Sequence, residues 1–172
     1  MEADGFSRWG FAIYRCTYES GAESNAFMAR LYNSVTELLD LDNGLDILDS
    51  YAPTVLQDPS FAGATTATLR AHFRKTWTPA AFIDENPEVL ESVLQAPGDG
   101  MNLTGYVRLV YAEWEPQDEE DKLVPLEGST TKDVGWMNVL YNDAQLIAYL
   151  NIQRDWDWEG YYERPPAILA IE

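Results

Sequence analysis

The chain has 172 residues, 46% of them hydrophobic and 13% aromatic, which excludes a disordered segment and suits a single domain spanning 1–172. It carries 29 acidic against 11 basic residues, a formal charge of −18, which repels phosphate backbones and argues against nucleic-acid binding. No apolar run reaches membrane-spanning length, so no membrane partner is expected.

The first ten residues, MEADGFSRWG, lack a basic stretch followed by an apolar run, so a signal peptide is not expected and a cytoplasmic location is. Residues 8–18 (RWGFAIYRCTY) predict a strand, with Trp9, Phe11 and Ile13 on one face. Small Gly10 and Ala12 lie on the other face, where a helix can approach closely. Residues 25–42 predict an amphipathic helix: Met28, Leu31, Val35 and Leu38 recur at spacings of three and four, Phe27 and Leu39 widen the stripe, and Asn43-Gly44 stops it. LDILDSYAPTVLQD holds an irregular second strand, which Pro53 assigns to an edge or a break. Residues 65–77 predict a short helix with Leu69, Phe73 and Trp77 in line and Pro79 past its end. Asn86-Pro87 opens another, with Val89, Leu90, Val93 and Leu94 inside.

Residues 104–116 (TGYVRLVYAEWEP) are β-branched and aromatic, a strand closed by Pro116. An acidic loop over 117–122 leads towards a strand at 134–141, which can pair antiparallel with it. Asn142 or Asp143 then caps a helix in which Leu146, Ile147 and Leu150 face inward. RDWDWEGYYERPP is an aromatic, acidic segment, Pro165-Pro166 blocks helix, and AILAIE adds an edge strand. This order predicts an α+β fold: a ferredoxin-like antiparallel sheet covered by helices on one face, with a short helical insertion around 65–96.

Taken together, WGFAIYRCTY, GYVRLVYAEW, GWMNVLY and YYERPP, in this order along nearly the whole chain, resemble a group of small acidic fungal proteins. The resemblance implies an intracellular fungal protein and carries over no catalytic residue.

The chemistry-bearing residues concentrate in TLRAHFRKTW, which holds the only histidine and three of the eleven basic residues. His72, at the edge of the predicted buried stripe, is the one side chain whose ordinary pKa lies near neutrality and is the candidate general base. Arg70 and Arg74 share a helix face with Lys75 beside them, a clamp for a carboxylate or phosphate. The simpler expectation is an internal counter-charge that pins this helix to acidic neighbours. Arg15, Arg108 and Arg164 stand in apolar or aromatic settings; Arg15 and Arg164 are each an anion anchor or an internal ion pair, and Arg15 needs a partner if its strand face is buried. Trp136 with Trp156, Trp158, Tyr161 and Tyr162 either lines an apolar ligand cavity or covers the sheet. Cys16 cannot form an internal disulfide and reads as a small buried residue. There is no GxSxG, GxGxxG or Walker A motif, and no zinc or calcium spacing, so neither metal nor cofactor is expected.

Three functions follow. The first is a non-catalytic interaction or regulatory domain, with an unknown protein partner and a possible homodimer. The second is a cofactor-free isomerase, cyclase or oxygenase of the dimeric α+β barrel kind, acting on a small apolar or anionic ligand with His72 as base and Arg70 or Arg15 as orienting cation. The third is an acidic mimic that inhibits a basic protein.

Overall fold

A computed structural model describes residues 8–18, 20–77, 92–95, 105–116, 122–144, 146–152 and 155–171. The first strand, β1 (Ala12–Tyr14), is short because Gly10 sits at φ 129°, outside strand geometry, although Trp9 still bridges Tyr51 across that break. What approaches Gly10 is backbone rather than a helix: a side chain there would meet Pro53 N at 3.0 Å.

Helix α1 (Gly21–Leu41) begins earlier than the periodicity suggests because Ser20 caps it, its hydroxyl accepting from the Glu23 N–H at 3.2 Å. Phe27, Leu31, Val35 and Leu39, four apart, form its buried line, and Asn43 at φ 56° ends it. A 3-10 helix (Leu45–Ser50) precedes β2 (Thr54–Leu56), which is an edge strand, as Pro53 requires. Helix α2 (Thr66–Trp77) buries Leu69 and Phe73; the Trp77 side chain lies outside the described residues.

The helix expected from Asn86-Pro87 is corrected where it can be followed. Ser92–Gln95 is a strand, β3, paired on both sides, while Pro79, Val89 and Leu90 lie outside the described residues. With only Val93 and Leu94 apolar, this segment carries no period long enough to separate helix from strand, and the two neighbouring strands decide. Next come β4 (Tyr106–Tyr111) and β5 (Trp136–Leu140), antiparallel as expected. The acidic loop expected after β4 falls largely outside the described residues. Two short helices follow, α3 (Leu146–Asn151) and α4 (Asp155–Tyr161), and β6 (Ile168–Leu169) closes the order. Ala148 of α3 and Ile152 just past its end are buried; Leu150, midway between them, is 57% exposed rather than inward-facing. Leu146 and Ile147 lie outside the residues whose side chains are described.

The protein is a mixed helix and strand, α+β domain, but its sheet is not the antiparallel one expected. The strand order is β2-β1-β3-β4-β5-β6, and β1 runs parallel to both of its neighbours, as β6 does to β5. Parallel neighbours need long crossovers, and the helices supply them: α1 between β1 and β2, α2 between β2 and β3, α3 and α4 between β5 and β6. The first two crossovers travel in opposite directions along the sheet, so a common right hand places α1 and α2 on opposite faces.

Helices therefore cover both faces rather than one. Ile13 of β1 with Phe11 just before it, Val107 and Leu109 of β4, and Met137 and Val139 of β5 pack with Phe27 and Leu31 of α1, Ala148 of α3, Ile152 just past it, and Trp158 of α4. The alternate residues Tyr14, Val110 and Trp136 pack with Leu69 and Phe73 of α2. A third cluster joins Trp9 and Tyr51 to Val35 and Leu39 at the end of α1. No described helix is long and apolar enough to cross a membrane.

The α1 seam is directly testable. Leu31 is 1% exposed and Leu41 is 77% exposed. By denaturant unfolding, Leu31→Ala is expected to cost roughly 2–5 kcal/mol and Leu41→Ala no more than about 0.5 kcal/mol. Equal losses would contradict the assigned helix face.

Candidate functional site

After β4 the chain leaves the sheet through Ala112 and passes Trp114, Glu115 and Pro116. Across from it a two-residue reversal joins Leu126 to Ser129, whose backbones exchange both hydrogen bonds, at 2.9 and 3.0 Å. Its two central residues, Glu127 at φ 48° and Gly128 at φ 92°, are both left-handed, the geometry of a tight hairpin turn. Glycine adopts this freely; Glu127 does so against a steric cost.

That conformation goes with a specific placement of the Glu127 carboxylate. One oxygen accepts from Arg108 Nη1 at 2.7 Å; the other accepts from the Thr66 backbone N–H at 2.9 Å and from the Thr66 hydroxyl at 2.7 Å. Thr66 is the first residue of α2, so Glu127 caps that helix from a distant turn and also satisfies its positive end. Arg108 lies 4.1 Å from the Trp136 ring centroid, which completes the link to β5.

One turn along α2, Arg70 is 7% exposed. All three of its hydrogen bonds come from Nη2: to the Thr66 hydroxyl at 3.3 Å and to the carbonyls of Val134 and Gly135 at 3.1 and 3.3 Å. Its guanidinium carbon stands 4.6 Å from the Trp114 ring centroid. Among the described residues no carboxylate lies within ion-pair distance, and Nε is buried without an acceptor. Burial lowers the Arg70 pKa below the ordinary guanidinium value; Glu127 and Asp133 oppose this, and Arg74 adds to it. Trp114 is 9% exposed, and its Nε1 is likewise buried without an acceptor. Gly135, at φ 71°, makes this packing possible: a side chain there would run into the Trp114 ring and meet Arg70 Nη2 at 2.8 Å.

These elements enclose a groove of about 560 Å³, within the range of small-ligand sites. Arg70, Arg74, Trp114, Glu127, Thr130 and Trp136 are among the residues that line it. Of the residues singled out from sequence, Arg70, Arg74 and Trp136 come together here. Arg74 is fully engaged: Nε donates to Ala112 O at 2.8 Å, Nη2 to Trp114 O at 3.0 Å, and Nη1 pairs with Glu115 at 3.0 Å.

The others lie apart. His72 does not line the groove; its Nδ1 is 2.8 Å from the Tyr14 hydroxyl, and its ring packs edge-on against Tyr14 and Phe61. Arg15 donates to the Thr17 and Ser20 carbonyls and to Gln57, on the surface near the start of α1. Arg164 donates to the Thr131 and Val124 carbonyls at 3.1 and 2.9 Å, and so ties down the segment that forms one groove wall. The aromatic group divides. Trp158 is buried among the α1-side core, in contact with the Tyr111 and Tyr162 rings, and its Nε1 donates to Asp133 at 2.9 Å. Trp136 lies on the opposite face of the sheet, and the Trp156 side chain lies outside those described. Trp158 thus covers the sheet instead of lining a cavity with Trp136.

Thr66, Trp114, Glu127 and Gly135 were not singled out by sequence reasoning. The Glu-Gly pair flanked by Leu126 and Ser129 is a hairpin-turn signal; nothing local announces that Trp114 and Gly135 meet. Among the described residues, no group of three His, Cys, Asp or Glu side chains is placed to hold a metal ion. No family model, curated protein or solved structure matches the chain.

Two outcomes are expected. Gly135→Ala combines a strained backbone with overpacking against Trp114 and should lower unfolding free energy by about 3 kcal/mol, measured by denaturant titration. Burial pushes the Cys16 thiol from 9.0 up to about 11. The unfolded thiol ionises first, so this contribution to stability is intact below pH 9.0 and is lost as pH rises towards 11. Cys16→Ala should flatten the pH dependence of stability across that window, and an unchanged slope would refute the burial argument.

Proposed function

We propose that this protein is a non-catalytic binding domain and that the groove between α2, Trp114 and the 126–131 segment is its recognition site. One observation carries the reading. The groove gathers Arg70, Arg74 and Trp136, while His72, the one residue suited to general base catalysis near neutrality, sits outside it against the Tyr14 hydroxyl. The groove contains cations and aromatic faces, and its hydroxyl–carboxylate pair, Thr66 with Glu127, is committed to capping α2 and to Arg108, a composition that suits binding without turnover.

The cofactor-free enzyme reading asks for His72 and an arginine to converge on one cavity, and it has less support for that reason. The acidic-mimic reading rests on net charge alone. A cytoplasmic location and the fungal resemblance remain compatible with a binding domain and add nothing to the choice.

The test is a set of two-dimensional amide spectra recorded while a chemically mixed fragment library is added. Shifts are expected at Ala67, Ala71, Ser129 and Thr130, all of which line the groove. His72→Ala is expected to leave fragment affinity within about twofold of the parent, since His72 touches no groove residue in the described contacts. Shifts confined to Tyr14, Phe61 and His72 would move the site and sink the reading.

A further inference from the structure

We infer that the groove recognises a small organic monocarboxylate with a flat apolar body, and that Arg70 and Trp114 form its acid-binding end. This rests on the binding reading above and specifies its ligand. The first support is a matched pair of vacancies in hydrogen bonding. Arg70 Nε and Trp114 Nε1 are both donors, both buried and both without an acceptor, on two groove-lining residues whose side chains stack together. Buried donors without acceptors are rare and costly. With all three Arg70 bonds made by Nη2, Nη1 also lacks a protein partner. What this end of the groove lacks is an acceptor, and a carboxylate supplies acceptors in the planar arrangement that suits guanidinium.

The second support is charge. Among the described residues Arg70 is a buried cation without a carboxylate of its own, whereas Arg74 and Arg108 already have Glu115 and Glu127. An incoming single negative charge completes the third pair. A doubly charged phosphate is disfavoured, because Glu115 and Glu127 also line the groove and the chain as a whole carries −18. The third support is the wall. The face α2 turns to the groove carries Ala67 and Ala71, one turn apart and small, opposite Leu126 and near Trp136. These small and apolar side chains leave room for an apolar body beside the polar residues of the 127–131 segment.

The probes are 3-phenylpropionate, its uncharged amide and inorganic phosphate, titrated into the full chain with amide shifts as readout. The carboxylate is expected to bind the groove at least about tenfold more tightly than the amide, the difference a charge-assisted hydrogen bond makes. Phosphate is expected to bind more weakly than the carboxylate. Arg70→Met should erase the preference for carboxylate over amide. Ala67→Phe, which fills the groove from an exposed helix position and leaves Arg70 in place, should weaken both ligands alike. The parent titrations alone decide the question if Arg70→Met fails to fold. Equal binding of amide and carboxylate in the groove overturns the acid assignment and leaves the binding reading standing. Phosphate binding as tightly as the carboxylate overturns the monocarboxylate assignment. Groove residues that respond to none of the probes nor to any library fragment overturn both.

Discussion

The carboxylate of Glu127 is where three elements meet. It accepts from Arg108 on β4 and from the first residue of α2, and it does so from a turn whose backbone is left-handed at that residue. A left-handed glutamate costs about 1–2 kcal/mol, and it is held because the carboxylate then satisfies an orphan helix donor and a cation together. Removing this anchor would loosen α2 from the sheet at the end that carries Arg70. The groove depends on it twice, for the position of its α2 wall and for that of the turn opposite.

Much of the fold can be read from the chain, and the reason is periodicity. Phe27, Leu31, Val35 and Leu39 recur every four residues as the buried line of α1, and the β-branched and aromatic residues of 106–111 and 136–140 mark both as strands, so local pattern and final element agree. Pro53 correctly marks an edge. Legibility fails where pairing, not pattern, decides. Val93 and Leu94 belong to a four-residue segment that is a strand because β1 and β4 flank it. The direction of each crossover, and hence which face a helix covers, is written nowhere in local sequence.

The candidate site divides in the same way. Arg70 and Arg74 are conspicuous against 29 acidic residues, and a position four apart on one helix brings them to one surface. Their counter-groups are not what charge counting suggests: Arg70 is held by carbonyls of Val134 and Gly135, and Arg74 by two carbonyls and one glutamate. Backbone acceptors are invisible in composition. Trp114 and Gly135, far apart in the chain, meet because β4 and β5 pair, so the pocket they build for a guanidinium could not be read before the register was known.

The parallel pairing of β1 with β3 has a consequence for how the chain reaches this structure. Ala12 stands opposite Val93, and everything between them, including α1, β2 and α2, forms a closed loop once the pair is made. Closing so long a loop costs entropy before the contacts repay it, a cost that grows slowly with loop length and slows folding of chains rich in distant pairings. During synthesis, β1 leaves the ribosome well before its central partner exists. Until then its only sheet neighbour is β2, and one edge of β1 stays unpaired, the kind of open edge through which incompletely folded chains associate.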